Sequence, residues 1–163
     1  MKIIVLGALL ASAAVHAEPQ AAFKPMAFLA GHCWKADMAV PGQTDEHCFS
    51  WVYGGQALRD VHVVRTPAKP DYAGETLYFY DSAAKQVQYV YVENMGGISR
   101  GTMEAGADAL LFPATQYVAG GQAMTYRVRW TPSGDKAYEA FSEIQAREGK
   151  WVTQFKVMLK RTD

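Results

Sequence analysis

The sequence predicts an all-β domain: a single antiparallel meander closed into a roughly ten-stranded barrel, with a short helical lead-in before it. Three observations predict this. Beyond residue 30, apolar and polar side chains alternate with period two, the spacing that turns one face of a strand inward and the other outward. Short turn signals rich in Gly, Pro, Ser and Asp interrupt the alternation. No segment keeps a helical repeat long enough to cross over between parallel strands. Each strand is therefore followed by an antiparallel return, and closing so long a meander removes both exposed edges.

The elements follow in chain order. Residues 1–17 have the pattern of a signal peptide: Lys2 gives a positive start, the apolar stretch 3–15 is too short to span a bilayer, and Val15-His16-Ala17 offers small residues before a cut. The mature chain is expected to begin at Glu18, with no second hydrophobic stretch to span a membrane and no Cys at the cut for lipid attachment. These features point to a periplasmic or secreted protein. Residues 18–30 form the lead-in, in which Phe23, Met26, Phe28 and Leu29 can line one or two helical turns interrupted by Pro25. The barrel domain occupies 31–163. Its strands are expected at 31–39, 46–53, 57–65, 75–81, 86–93, 98–104, 109–112, 124–130, 137–145 and 151–160. Between them lie turn signals such as Gly54-Gly55, Ser82-Ala83-Ala84, Gly96-Gly97, Gly120-Gly121 and Pro132-Ser133-Gly134-Asp135.

Two cysteines, Cys33 and Cys48, are expected to form one disulfide, the default for a lone pair in an oxidising compartment. Sixteen Lys and Arg balance sixteen Asp and Glu with no basic run, which argues against nucleic acid or an anionic membrane surface as the main partner.

The phrase Phe28-Leu29-Ala30-Gly31-His32-Cys33-Trp34 opens the first strand, and Lys160-Arg161 ends the last. This pattern resembles the lipocalin and fatty-acid-binding superfamily, in which a Gly and a Trp of the first strand pack under the barrel beside a late Arg. With the aromatic-Gly-Gly hairpin Trp51-Val52-Tyr53-Gly54-Gly55, it is most similar to secreted lipocalin-like bacterial proteins of unknown function. The resemblance implies a barrel with an interior site and implies no particular ligand.

Turn positions set register, and register decides faces. A turn centred on Gly54-Gly55 sets Trp51 against Leu58, Phe49 against Asp60 and His47 against His62. The Cys33–Cys48 pair then sets Trp34 against His47 and His32 against Phe49. This puts the three mature histidines on one face with Trp34, Phe49, Trp51 and Leu58, the expected interior, and the cysteines on the other. Further on, the turn at Ser82-Ala83-Ala84-Lys85 groups Thr76, Tyr78 and Tyr80 with Val87, Tyr89, Tyr91 and Glu93. A turn centred at Met95-Gly96 or Gly96-Gly97 adds Arg100, Thr102 and Glu104 to that group. Both faces of these middle strands are half apolar, so the pattern leaves the lumen side open. Tyr126, Val128 and Trp130 alternate with Arg127 and Arg129, as core against solvent. Trp151, Phe155, Val157 and Leu159 read as interior positions of the last strand.

Two constellations stand out chemically. His32, His47 and His62, with Asp45 or Asp60 close by, have the donor types for zinc or copper, although their spacing matches no metal motif. The plainer reading is neutral histidines hydrogen-bonded to Asp60 or backbone within the barrel wall. Arg100 among tyrosines offers a charged fork for an acidic group, with an ion pair to Glu93 as the plainer alternative. No nucleophile elbow, no His-Glu-x-x-His motif and no phosphate-cradling loop is present, so no catalytic residue and no cofactor is indicated. The sequence thus points to a binding protein rather than an enzyme. A small apolar or amphipathic molecule is expected to contact Trp51, Tyr78, Tyr91 and Arg100. The alternatives are a metal-dependent enzyme or metal carrier using the histidines, and an envelope protein–protein module whose barrel is filled by its own side chains.

Overall fold

The computed structural model describes residues 19–163; the expected signal peptide lies outside them. Ten antiparallel strands form a closed barrel: β1 (Cys33–Asp37), β2 (Thr44–Val52), β3 (Ala57–Arg65), β4 (Tyr72–Asp81), β5 (Gln86–Glu93), β6 (Ile98–Ala105), β7 (Leu110–Ala119), β8 (Gln122–Pro132), β9 (Ala137–Gln145) and β10 (Trp151–Arg161). Every sequential pair is a hairpin, and β1 closes on β10 through Trp34 opposite Arg161 and Lys35 opposite Lys160. Among the described residues the helical elements are two short 3₁₀ segments, Ala21–Met26 and Tyr53–Gly55.

The first of these 3₁₀ segments, with the residues just after it, seals one end of the barrel. Phe23, Met26 and Leu29 are fully buried there, and Phe23 packs on Trp51 with ring centroids 5.7 Å apart. The Gln20 N–H donates to Gly55 O, and the Trp34 indole N–H donates to Leu29 O at 3.2 Å. A plug of apolar side chains thus covers the end at which β2 turns into β3, with its backbone tied to the barrel by hydrogen bonds. The Cys33–Cys48 disulfide staples β1 to β2 on the outer face, opposite to Trp34 and His47.

The register of the first hairpins is the expected one. Trp51 lies opposite Leu58, Phe49 opposite Asp60 and His47 opposite His62. The β2–β3 loop spans four residues, 53–56, rather than two, but it is centred on the same point, so each strand loses one residue and no side chain changes face. The β5–β6 loop differs. It is centred on Met95, with Glu93 N–H donating to Gly97 O and Val92 opposite Ile98. A centre on a residue rather than between two residues is a half-step slip, which reverses the face of every residue on β6 relative to the expectation. Arg100 is therefore opposite Val90 on the outer face and exposed, while Ser99 and Gly101 take the inner positions opposite Tyr91 and Tyr89.

Register shifts interrupt three of the ladders, one of them between Ser99 and Glu104 where β6 pairs with β7. β7 is much longer than the expected 109–112. Pro113 sits at a register shift between Phe112 and Thr115, where a bulge accommodates a residue that has no N–H to give the ladder. The third shift, between Thr153 and Phe155, reverses the faces at the start of β10. Phe155, Val157 and Leu159 point inward as expected, but Trp151 is turned outward, where the Arg127 guanidinium lies 4.3 Å from its ring centroid.

Candidate functional site

The plugged end is packed solid; the upper barrel is not. A cavity of about 400 Å³ opens at the end carrying the β1–β2, β3–β4, β5–β6, β7–β8 and β9–β10 turns. Its wall is the tyrosine-bearing face of β4 and β5, completed by Phe112, Trp130, Tyr126, Tyr138, Phe155 and Val157. This settles which face of the middle strands is the lumen.

Glycines inside strands make this wall possible. A Cβ on Gly101 would meet the Tyr89 ring and hydroxyl at 2.7–2.8 Å, and one on Gly74 would meet the Tyr91 ring and hydroxyl at 2.6–2.9 Å. Each tyrosine lies flat over a glycine backbone on the neighbouring strand. The signal was legible, since an isolated Gly within an alternating strand marks a close approach.

The tyrosine hydroxyls are ordered into short relays. Tyr72 and Tyr91 hydroxyls are 2.6 Å apart. Tyr126 donates to Ser99 Oγ at 3.0 Å and Ser99 donates to Gln116 O at 2.9 Å, so Tyr89, 3.3 Å from Tyr126, donates into the same chain. At the rim, Tyr117 donates to Glu93, which also accepts the N–H groups of Met95 and Gly97. Burial would raise the Glu93 pKa, but these donors hold it below the usual carboxylate range. Burial pushes the Tyr89 and Tyr91 hydroxyls well above their ordinary pKa, so both stay protonated.

The wall carries one charged cluster. Asp60 on β3 is 2% exposed, and its Oδ2 is 2.8 Å from His47 Nδ1; Asp45 Oδ2 is 3.3 Å from His47 Nε2. A ring with a carboxylate at each nitrogen must donate from both, so His47 is an imidazolium. Burial alone would lower its pKa, but the charge of Asp60 and the two hydrogen bonds raise it to about 10. For Asp45, burial acts upward and is overcome by the hydrogen bond and charge of His47, which lower its pKa. His62, opposite His47, stacks on it at 4.9 Å and on Tyr91 at 5.5 Å. Burial and the neighbouring charge of His47 lower the His62 pKa, which keeps it neutral. Of the two adjacent histidines, then, one is charged at neutral pH and the other is neutral, rather than both neutral in the wall.

The remaining expected site residues are scattered. Tyr78 and Tyr91 line the cavity. Trp51 is on the inner face but below the cavity, against Phe23 of the plug. Arg100 is outside, beside a shallow groove formed by Ile98, Thr115, Gln116 and Val118, and its side chain pairs with neither Glu93 nor the tyrosines. His32 sits at the plugged end, 2.7 Å from Asp163 and 3.3 Å from Arg161, away from the other two histidines. Among the described residues, Cys33, Glu46 and Cys48 are the one group of three His, Cys, Asp or Glu side chains with ligand atoms in mutual reach, and both sulfurs are committed to the disulfide.

Fold and cavity together define a closed antiparallel barrel with an aromatic-walled internal pocket and one buried ionic cluster. No protein-family model matches the chain, and no curated protein matches it. Among solved structures, it is similar to Rv2717c from M. tuberculosis, with a TM-score of 0.60 over 90% of this chain and 100% of that chain. At 14% sequence identity the likeness is one of fold.

Proposed function

We propose that this chain is a binding protein of the periplasm or extracellular space that holds a small amphipathic molecule inside its barrel. The observation that carries the reading is the cavity itself. A volume of about 400 Å³ falls in the range of small-molecule sites, and its wall is mostly aromatic and aliphatic with a few converging polar groups. The interaction-module alternative calls for a barrel filled by its own side chains, and this one is not filled. The disulfide supports the compartment, since thiol pairs persist as disulfides where the environment oxidises them. The histidine cluster does not favour a metal carrier, because both nitrogens of His47 are already engaged by aspartates.

The test is occupancy. Native mass spectrometry of the protein purified from its own envelope fraction is expected to show a bound organic molecule. Ala140, buried in the wall, provides the control: Ala140→Phe fills the cavity and is expected to abolish binding while the barrel stays folded. Retention of the same molecule by the filled variant would place binding elsewhere and refute the proposal.

A further inference from the structure

We infer that the cavity takes an organic ammonium: a small molecule whose protonated amine sits beside Asp60 and Asp45 and whose apolar body lies among the tyrosines. This rests on the binding reading above and names the class of ligand.

The first argument is the charge inventory. Among the described residues no Lys or Arg lines the cavity. The cation on its wall is His47, and both of its N–H groups point at carboxylates. An acidic ligand would find no free positive partner there, and it would face two aspartates. The aspartates, in turn, are balanced by a single imidazolium, which leaves one negative charge in excess on a mostly apolar wall. Such a charge is poorly solvated where it stands, and a ligand of opposite sign relieves that cost.

The second argument concerns hydrogen-bonding capacity. Asp60 Oδ1 and Asp45 Oδ1 are buried without a partner, and so is the hydroxyl of Tyr138, a cavity-lining residue that is fully buried. The Tyr138 hydroxyl and the neutral His62 ring each offer a donor as well as an acceptor, whereas the two carboxylate oxygens only accept, so acceptors outnumber donors at this spot. An ammonium brings up to three N–H donors to a site short of donors, and hydrogen bonds between ionised partners are the strong ones.

The third argument is the aromatic surround. Trp130 packs 6.4 Å from His47, 5.9 Å from Phe49 and 5.4 Å from Tyr138. The negative faces of such rings attract a cation and do nothing for an anion.

The experiment compares three probes of one shape by calorimetry at neutral pH: phenethylamine, phenethyl alcohol and hydrocinnamate. The amine is expected to bind at least about tenfold more tightly than the alcohol, with the acid weakest. Asp60→Asn keeps the side-chain shape and an acceptor for His47; it is expected to erase most of the amine's advantage over the alcohol. Should that variant misfold, Asp45→Asn serves in its place, and the ranking of the three probes on the wild-type protein stands without any variant. Equal binding of amine and alcohol, or preference for the acid, would overturn the ammonium assignment and leave the cavity reading standing. Binding of none of the three would overturn the ammonium assignment, and the occupancy test above then decides the cavity reading by itself.

Discussion

His47 is expected to make this protein lose stability steadily between neutral and mildly alkaline pH. Its pKa is 6.5 in an unfolded chain and about 10 between Asp60 and Asp45. At about 1.4 kcal/mol per unit, the shift corresponds to about 5 kcal/mol of folding stability. Because the folded-state value is the higher one, that contribution is complete below pH 6.5 and falls as pH rises toward 10. The slope within that window is about 1.4 kcal/mol per pH unit, so the protein is expected to lose about 3 kcal/mol from pH 7 to pH 9. His62 has the opposite sign: its lowered pKa contributes stability that is present above 6.5 and lost on acidification. The tyrosine hydroxyls, pushed upward, hold their protons throughout the window. The assay is urea unfolding at both pH values for wild type and His47→Gln. The variant removes the titrating group and is expected to be less stable at pH 7, with the slope gone. A ring-proton NMR titration of His47 reads the same quantity without a variant. A wild-type slope no steeper than the variant's, or a His47 ring that titrates near 6.5, would refute the clamp.

Other outcomes follow from the same geometry. Gly101→Ala is expected to push the Tyr89 ring off its seat and cost about 1–3 kcal/mol by overpacking, measured by denaturant unfolding, with the Tyr89–Tyr126 hydrogen bond lost. Replacing Cys33 and Cys48 by Ser opens a loop with a sequence separation of 15. This is expected to cost about 3 kcal/mol, visible as a lower midpoint in unreduced urea titrations. Arg100→Met removes an exposed outward side chain, so amine-probe affinity is expected to be unchanged and stability to move by less than about 0.5 kcal/mol. Intact mass of the exported protein is expected to begin at Glu18 and to lack the two thiol hydrogens of Cys33 and Cys48.

Much of the site was legible in the sequence because it depends on hairpins of simple parity. The facing of His47 with His62 and of Phe49 with Asp60 needed only the centre of one turn, and that centre tolerates two residues or four. The tyrosine face of β4 and β5 followed from the next hairpin in the same way. Arg100 lies outside because the β5–β6 turn is centred on Met95, neither of the two centres, Met95-Gly96 or Gly96-Gly97, that its glycines suggest, and that centre reverses the face. Trp151 was misplaced because a bulge at Thr153–Phe155 adds a residue that no local pattern announces.

By itself the sequence determined the class of fold, the disulfide pair and the first hairpin registers, because period-two alternation and turn chemistry act between near neighbours in the chain. Tertiary structure alone decided which tyrosine face became the lumen, and that the plug fills one end and leaves the other open. It also decided the state of the histidines. Asp45 and Asp60 reach the two nitrogens of one ring from two strands, and whether that ring is charged depends on how far both carboxylates are withdrawn from water. That is a property of the closed barrel, since burial is shared among residues from every strand and is written in no single one of them.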